Sequence, residues 1–141
     1  MNPIASRACV TTLFIALASV ALATPPAAPP DWNAVAGVQE VEVLTQNEDG
    51  SAKETTVWLA VADGQGYLRT GNTSWWKNVE RTPEVTLRIE GAEHPLRVEL
   101  VPDPATRARV AEIFRQKYGA SDRILGWFRG SDPHIMHLVA R

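Results

Sequence analysis

A polar, hydroxyl-rich segment between a predicted strand and a predicted short helix carries the side chains best suited to binding chemistry. Its polar residues are Arg69, Thr70, Asn72, Thr73, Ser74, Lys77 and Asn78. Backbone N–H groups at a helix N-terminus attract anions. Arg69 could bind two phosphate oxygens at once, and Lys77 would act as a point charge. The hydroxyl of Ser74 or Thr73 could donate a further hydrogen bond, so the segment predicts a site for an anion such as a phosphate.

The same segment also fits an ordinary capped helix. Ser74 is a good N-cap residue for a helix that runs to about Arg81. Lys77 would then lie in the first turn, where a cation opposes the helix dipole at a cost of about 0.3–1 kcal/mol. A bound anion would remove that cost. Both interpretations stay open at this point, and the phosphate affinity of a Lys77→Ala variant would distinguish them.

Tryptophans lie close to this segment, at Trp58, Trp75 and Trp76. An aromatic wall suits a planar ligand with a π system. Large aromatic side chains also dominate protein cores and interfaces. The tryptophans therefore fit either a ligand wall or a core or dimer interface.

The three histidines give no pattern typical of a zinc site. His134 and His137 are three residues apart in a predicted strand, so they should face opposite sides of the sheet. His94 precedes a proline at a strand start, and no cysteine or carboxylate cluster completes a ligand set. We expect no metal site. A Gly-x-Ser-x-Gly motif is also absent, so any redox chemistry would belong to a bound cofactor.

Hydrophobic periodicity predicts the elements that must position these side chains. Period-two alternation predicts strands at about residues 38–46, 55–62, 67–70, 83–90, 96–100 and 135–140. Turns are predicted at Asp49-Gly50 and Asp63-Gly64. Asp103-Pro104 should begin a second helix, which Gly119 should end, and Ser121 should cap a third helix carrying Ile124, Leu125 and Phe128. This order predicts an α+β fold, a small closed or half-closed barrel of about six mostly antiparallel strands with two to three helices packed on it.

The N-terminus has the pattern of a secretory signal. Arg7 precedes an apolar run at residues 10–22, and Ala21-Leu22-Ala23 offers a cleavage site after Ala23. The run is shorter than the span of about 20 residues that a membrane helix needs, so a retained anchor is the weaker alternative. We expect residues 1–23 to be a signal peptide, residues 24–37 a Pro- and Ala-rich linker, and residues 38–141 one exported domain, periplasmic or secreted.

Composition excludes some classes of function. The formal net charge of −2 argues against a nucleic-acid binder, which would normally be strongly basic. The single cysteine, Cys9, lies within the signal, so the mature domain would have no disulfide and no thiol chemistry.

Three segments resemble the flavin-binding split barrels, which include pyridoxamine-phosphate-oxidase-like proteins and the deazaflavin-dependent nitroreductases. The segments are TTVWLAVADGQGYLRT, GNTSWWKN and NVERTPEVTLRIEG. The matching positions are Trp75, Trp76, Lys77, Asn78, Pro83 and Val85, while Thr82 replaces the usual asparagine. The AEIFRQKYG segment and the strand after it are similar to an uncharacterised branch of the same superfamily. The resemblance covers about residues 38–141.

The resemblance implies FMN or a deazaflavin as cofactor and a homodimer with the cofactor at the subunit interface. The phosphate would lie near the end of the third strand and the start of the short helix, and the flavin ring along the second strand. The implied cofactor-binding residues are Thr56, Val57, Trp58, Arg69, Thr70, Ser74, Trp76, Lys77 and Asn78. A heme, known in some split barrels, would need one of the histidines as axial ligand. No catalytic residue is indicated.

These expectations support three functions. The first is a flavin- or deazaflavin-binding oxidoreductase that passes hydride to a small organic acceptor. The second is an exported module that uses the same barrel to bind another small ligand without a cofactor. The third is a dimeric interaction protein with an empty pocket. A purified protein that is yellow, or that quenches added flavin fluorescence, would favour the first.

Overall fold

The computed structural model describes residues 28–124 and 133–141, which form a six-stranded closed barrel with two helices. In chain order the elements are β1 (Glu40–Gln46), β2 (Ala52–Ala62), β3 (Gln65–Thr70), α1 (Ser74–Arg81), β4 (Glu84–Ile89), β5 (Ala92–Leu100), α2 (Pro104–Ile124) and β6 (His134–Ala140). The strands are arranged in the order β1-β2-β3-β6-β5-β4, and every neighbouring pair is antiparallel. The predicted α+β barrel is confirmed.

Local turn chemistry sets the register of the hairpins. Asn47 and Ser51 close the turn between β1 and β2, where Gly50 has a φ of 84°. Asp63 and Gly64, with φ values of 52° and 69°, join β2 to β3. Asp-Gly pairs adopt positive φ readily, and such tight turns match the twist of the flanking strands. Both predicted turns are therefore present.

Alternation along the strands separates two apolar clusters. The first fills the barrel, and its members with no more than 1% exposure include Val41, Val43, Leu59, Leu68, Leu87, Leu96, Met136 and Leu138. The second lies outside the barrel, between the sheet and α2, and contains Ala60, Ala62, Tyr67, Val110, Phe114, Tyr118 and Ile135. Neighbouring residues of one strand belong to different clusters, because successive side chains point to opposite faces.

The two ends of the barrel are closed by different segments. Trp75, Trp76 and Val79 of α1 belong to the interior cluster, and α1 links the end of β3 to the start of β4. At the opposite end Trp32 enters the same cluster and lies against Gly66. A Cβ on Gly66 would come within 2.3 Å of the Trp32 ring, so only glycine fits there.

Part of the predicted linker packs against the barrel. Residues 32–37 form turns next to the barrel, and Trp32 is only 7% exposed. The folded domain therefore begins at about residue 31 and not at residue 38. Composition suggested a linker, but the buried indole and hydrogen bonds from Lys117 to the carbonyls of Ala36 and Val38 hold the segment on the barrel. The predicted signal peptide, residues 1–23, lies outside the described residues and stays a prediction.

Two predictions about the helices are also wrong. The N-cap of α1 is Thr73, whose side chain accepts a hydrogen bond from the backbone N–H of Trp76, and Ser74 is the first helical residue. The second helix does not end at Gly119 but continues to Ile124, so Ser121 caps no separate helix. Glycine ends a helix when it adopts positive φ, and Gly119 does not. Leu125 and Phe128 lie outside the described residues.

Asp103 caps α2 as predicted. Its carboxylate accepts hydrogen bonds from the backbone N–H and the hydroxyl of Thr106, at 2.8 and 2.6 Å. Pro104 then occupies the first helical position, where the missing N–H costs nothing. Neither helix in the described part of the chain is both long and apolar enough to cross a membrane.

Candidate functional site

The candidate site lies at the α1 end of the barrel. We define the α1 end as residues 70–81, which contain α1 and the loop before it, together with the neighbouring residues 100–107 and His134. The register pairs Thr70 at the end of β3 with His134 at the start of β6. It also pairs Leu100 at the end of β5 with Met136. Three strand termini therefore meet where α1 covers the barrel.

Two of the predicted hydroxyl groups are already engaged in the fold. The side-chain oxygens of Thr70 and Thr73 are 3.1 Å apart and share a hydrogen bond. Thr73 also accepts the bond from the backbone N–H of Trp76, at 3.4 Å. Thr70 is buried. These hydroxyls hold the loop against the helix, which leaves Ser74 as the accessible hydroxyl of the helix start.

Ser74 and Lys77 are both exposed in the first turn of α1. That turn contains no acidic residue. Within residues 28–124 and 133–141, the Lys77 ammonium group takes part in no ion pair. A cation beside the positive end of a helix is unfavourable by about 0.3–1 kcal/mol. The arrangement would therefore be stabilised by an anion.

Asn78 anchors α1 to the barrel. It is 5% exposed, and its amide nitrogen donates to Thr45 Oγ1 at 3.1 Å and to Asn47 Oδ1 at 2.9 Å. Its amide oxygen accepts a hydrogen bond from Arg81 Nη2 at 3.1 Å. Both amide hydrogens are used within the protein, so the side chain serves the position of α1.

The structure places Arg69 away from the hydroxyls of the loop. Arg69 and Thr70 are adjacent on β3, so their side chains point to opposite faces of the sheet. The guanidinium carbon of Arg69 lies 4.9 Å from the ring centroid of Phe114, on the face that α2 covers. Thr70 instead contacts the loop before α1. The two side chains therefore do not form one cradle.

The aromatic candidates divide between the core and the outer face of the barrel. Trp76 is buried and stacks on His134, with ring centroids 4.1 Å apart and planes 13° apart. Trp58 is half-buried outside the barrel and stacks on Tyr118 at 4.4 Å. Trp75 is also buried. The core interpretation therefore applies to Trp75 and Trp76.

The other two candidates of β2, Thr56 and Val57, point to opposite faces of the sheet. Thr56 is exposed, whereas Val57 is buried in the barrel interior. Thr56 and Trp58 share the outer face because they are two residues apart. Of the three candidates on β2, only Thr56 and Trp58 could contact a ligand outside the barrel through their side chains.

The histidines occupy separate environments, as predicted. His134 stacks on Trp76, whereas His137 stacks on Tyr67 and its Nε2 lies 2.7 Å from Gln65 Oε1. Burial lowers the pKa of His137 below its usual value. Among the described residues, no group of three histidine, cysteine, aspartate or glutamate side chains is arranged to hold a metal ion.

A cavity of about 260 Å³ opens beside His134, and sequence reasoning missed it. Its lining consists of Leu100, Val101, Pro102, Arg107, His134 and Ile135. These residues come from the end of β5, the connection after it, the first turn of α2 and the start of β6. The sequence marks this cavity only by Arg107, a cation in the first turn of a predicted helix. Lys77 has the same position in the shorter predicted helix.

Comparison with known proteins identifies a family and a fold. Residues 31–132 match the family model DUF2255, described as an uncharacterized protein conserved in bacteria. Among curated proteins, none matches this sequence.

Solved structures share the barrel at low sequence identity. A conserved hypothetical protein from Mycobacterium tuberculosis aligns with a TM-score of 0.63 and 20% identity over 78% of each chain. An F420-H2-dependent reductase aligns with a TM-score of 0.58 and 13% identity, over 72% of this chain and 94% of its own. A FAD-binding protein from Mesorhizobium loti gives 0.56 and 11%, over 77% and 84%. The fold is therefore the split β-barrel that the sequence motifs implied.

Proposed function

Because the chain belongs to the DUF2255 family of uncharacterized bacterial proteins and folds as a split β-barrel, we propose that it binds a flavin-type cofactor, either FMN or a deazaflavin. The proposal includes oxidoreductase activity toward a small organic acceptor. It also includes a homodimer with the cofactor between subunits, as the family resemblance implies. Two proteins with the same fold support it, since their names describe an F420-H2-dependent reductase and a FAD-binding protein.

The observation that carries the proposal is the start of α1. Ser74 and Lys77 are exposed there, no acidic residue lies in the first turn, and Lys77 has no ion-pair partner among the described residues. The positive end of a helix, a hydroxyl and an ammonium group together match the acceptor oxygens of a phosphate. The chemistry of this donor set fits the phosphate that FMN and deazaflavin coenzymes share.

The residues divide into contacts and supports in this proposal. Ser74 and Lys77 would contact the phosphate. Thr70, Thr73 and Asn78 would hold the loop and helix in place through the hydrogen bonds described above. Thr56 is exposed on the outer face of β2, and Trp58 is half-buried there with one ring face on Tyr118. A flavin ring would contact Thr56 and the remaining surface of Trp58, and Val57 could contribute only its backbone. The bound cofactor would supply the hydride.

The proposal is tested by titrating the purified protein into FMN and, separately, into the deazaflavin F420, with cofactor fluorescence as the readout. We expect saturable binding of one of them, and Lys77→Ala should weaken it by about tenfold or more, since hydrogen bonds to charged groups are the strong ones. Arg115→Ala is the matched control, because Arg115 is an exposed cation of α2 that pairs with Glu112 at 2.5 Å. Equal affinity in the Lys77 and Arg115 variants would contradict the site. If the protein binds neither FMN nor F420, the proposed function is contradicted.

A further inference from the structure

The cavity beside His134 combines an apolar body with one positive charge. Four of its six lining residues are apolar, namely Leu100, Val101, Pro102 and Ile135. The remaining two are Arg107 and His134, and among the described residues no acidic side chain lines the cavity. A site of this composition attracts a ligand with an apolar body and a negative charge.

Arg107 is the cation of this cavity, and no described residue forms an ion pair with it. It is half-buried, and in the described part of the chain its guanidinium forms no ion pair. Asp103, the acidic residue one helical turn earlier, uses its carboxylate to cap α2 through Thr106. A guanidinium offers a planar pair of donors that matches a carboxylate.

Leu100 lies at the mouth of the cavity and is 55% exposed. It is the one large apolar residue that is exposed among residues 28–124 and 133–141. The preceding residues of the same strand face, Leu96 and Val98, are buried in the barrel. Apolar surface at a cavity mouth gains from being covered by an apolar ligand.

His134 gives the cavity a fixed polar wall. Its ring is held flat against Trp76, with the planes 13° apart. An imidazole held in this way presents its ring nitrogens in a constant direction, so little ordering is needed when a ligand accepts a hydrogen bond from it. The stack also joins the cavity to α1, whose first turn carries Lys77.

We propose that this cavity binds a small organic carboxylate with an apolar body. The carboxylate accepts hydrogen bonds from Arg107 and from His134, and the apolar body lies against Leu100, Val101 and Ile135. Binding at this cavity does not require a cofactor. Its role as the site of the small acceptor rests on the proposed function.

The test is isothermal titration calorimetry of the full purified chain with benzoate and with 3-methylbutanoate, two small carboxylates with different apolar bodies. Benzamide serves as the uncharged counterpart of benzoate. We expect saturable binding of at least one carboxylate, with benzamide weaker than benzoate by about tenfold or more, because a hydrogen-bonded charge is lost. Arg107→Gln should weaken carboxylate binding by a similar factor and leave benzamide unchanged. Arg115→Gln, on the exposed face of the same helix, should match the unchanged protein.

Several results would overturn the proposal. One is equal carboxylate affinity in Arg107→Gln and Arg115→Gln. Another is the absence of saturable binding of both carboxylates. A change of oligomeric state in Leu100→Glu, measured by light scattering, would then show that a second copy of the chain covers the mouth. Failure of FMN and F420 to bind, with carboxylate binding intact, would remove the cofactor function and leave this site.

Discussion

The two ends of the barrel differ in how their polar groups are used. The Trp32 end comprises residues 31–39 and the turn between β2 and β3. There, Lys117 and Tyr118 of α2 donate hydrogen bonds to backbone carbonyls of residues 36, 38, 39 and 59. At the α1 end, Lys77 and Arg107 have no ion-pair partner among the described residues. Lys117 at the Trp32 end is therefore bound within the fold, whereas these two cations of the α1 end form no ion pair with the described residues.

The comparison of two lysines shows this difference most directly. The Lys117 ammonium group is half-buried and donates to the carbonyl oxygens of Ala36 at 3.0 Å and Leu59 at 2.9 Å. Burial lowers the pKa of Lys117 below its usual value. Lys77 is exposed and lies against the positive end of a helix. A cation whose donors are satisfied by backbone is structural, whereas an exposed cation in an unfavourable field is a candidate for binding an anion.

The largest expected effect is at the Trp32 end. Trp32→Ala should lower the free energy of unfolding by about 3–5 kcal/mol, because it removes a buried indole and leaves a cavity above Gly66. Urea denaturation followed by circular dichroism measures the change. Leu100→Ala is the control, and its effect should stay within about 0.5 kcal/mol because Leu100 is exposed.

The same variant tests the functional half of the comparison. If the Trp32 end serves only the fold, carboxylate and flavin affinities of folded Trp32→Ala should equal those of the unchanged protein. A selective loss of ligand affinity, at a temperature where the variant is folded, would show that the two ends are not separate in function.

A smaller effect, with a characteristic pH dependence, is expected at Tyr118. The single O–H of the phenol donates a hydrogen bond that the carbonyl oxygens of Gln39 and Leu59, each at 2.6 Å, share, and burial raises its pKa from 10.0 to about 12. Tyr118→Phe should therefore cost about 1.5 kcal/mol at neutral pH. Because the folded-state pKa is raised, the contribution of the phenol is complete below pH 10 and is lost as the pH rises toward 12.

The measurement for Tyr118 is the difference in unfolding free energy between the unchanged protein and Tyr118→Phe from pH 7 to pH 12. Other titrating groups are shared by the two proteins and largely cancel in this difference. The difference should shrink above pH 10. A constant difference across that range would mean that the phenol does not titrate as its burial requires, and the assignment of this end as structural would lose its main support.

Much of the fold could be predicted from the sequence because the determining signals are local. Strand alternation and the Asp-Gly turns fix hairpin registers over a few residues. Trp32 was missed because its partner Gly66 lies on a distant strand, so nothing in the local composition marks it. Gly119 does not end α2, because a helix tolerates glycine at a cost of about 1 kcal/mol when packing holds both sides.

The candidate site could be predicted only in part. Lys77 and Ser74 were identified because a helix start is visible in the sequence. Arg69 and Thr70 point to opposite faces because successive side chains alternate along β3. The anion-site hypothesis placed both in one cradle and did not take this alternation into account. The cavity that joins Arg107 and His134 could not be predicted, because three elements meet there only after the barrel closes.

The smallest expected effect distinguishes the two hydroxyls of the α1 end. Thr73→Ala removes the N-cap and should lower the free energy of unfolding by about 1 kcal/mol. Ser74→Ala should leave stability within about 0.5 kcal/mol, because Ser74 is exposed and does not cap the helix. In the cofactor titration, Ser74→Ala should weaken phosphate-dependent binding more than Thr73→Ser, a variant that keeps a capping hydroxyl. The hydroxyl that contributes less to stability should therefore contribute more to binding. If Ser74→Ala alters neither stability nor binding, the exposed hydroxyl has no part in the site, and Lys77 alone must account for any anion that binds at the α1 end.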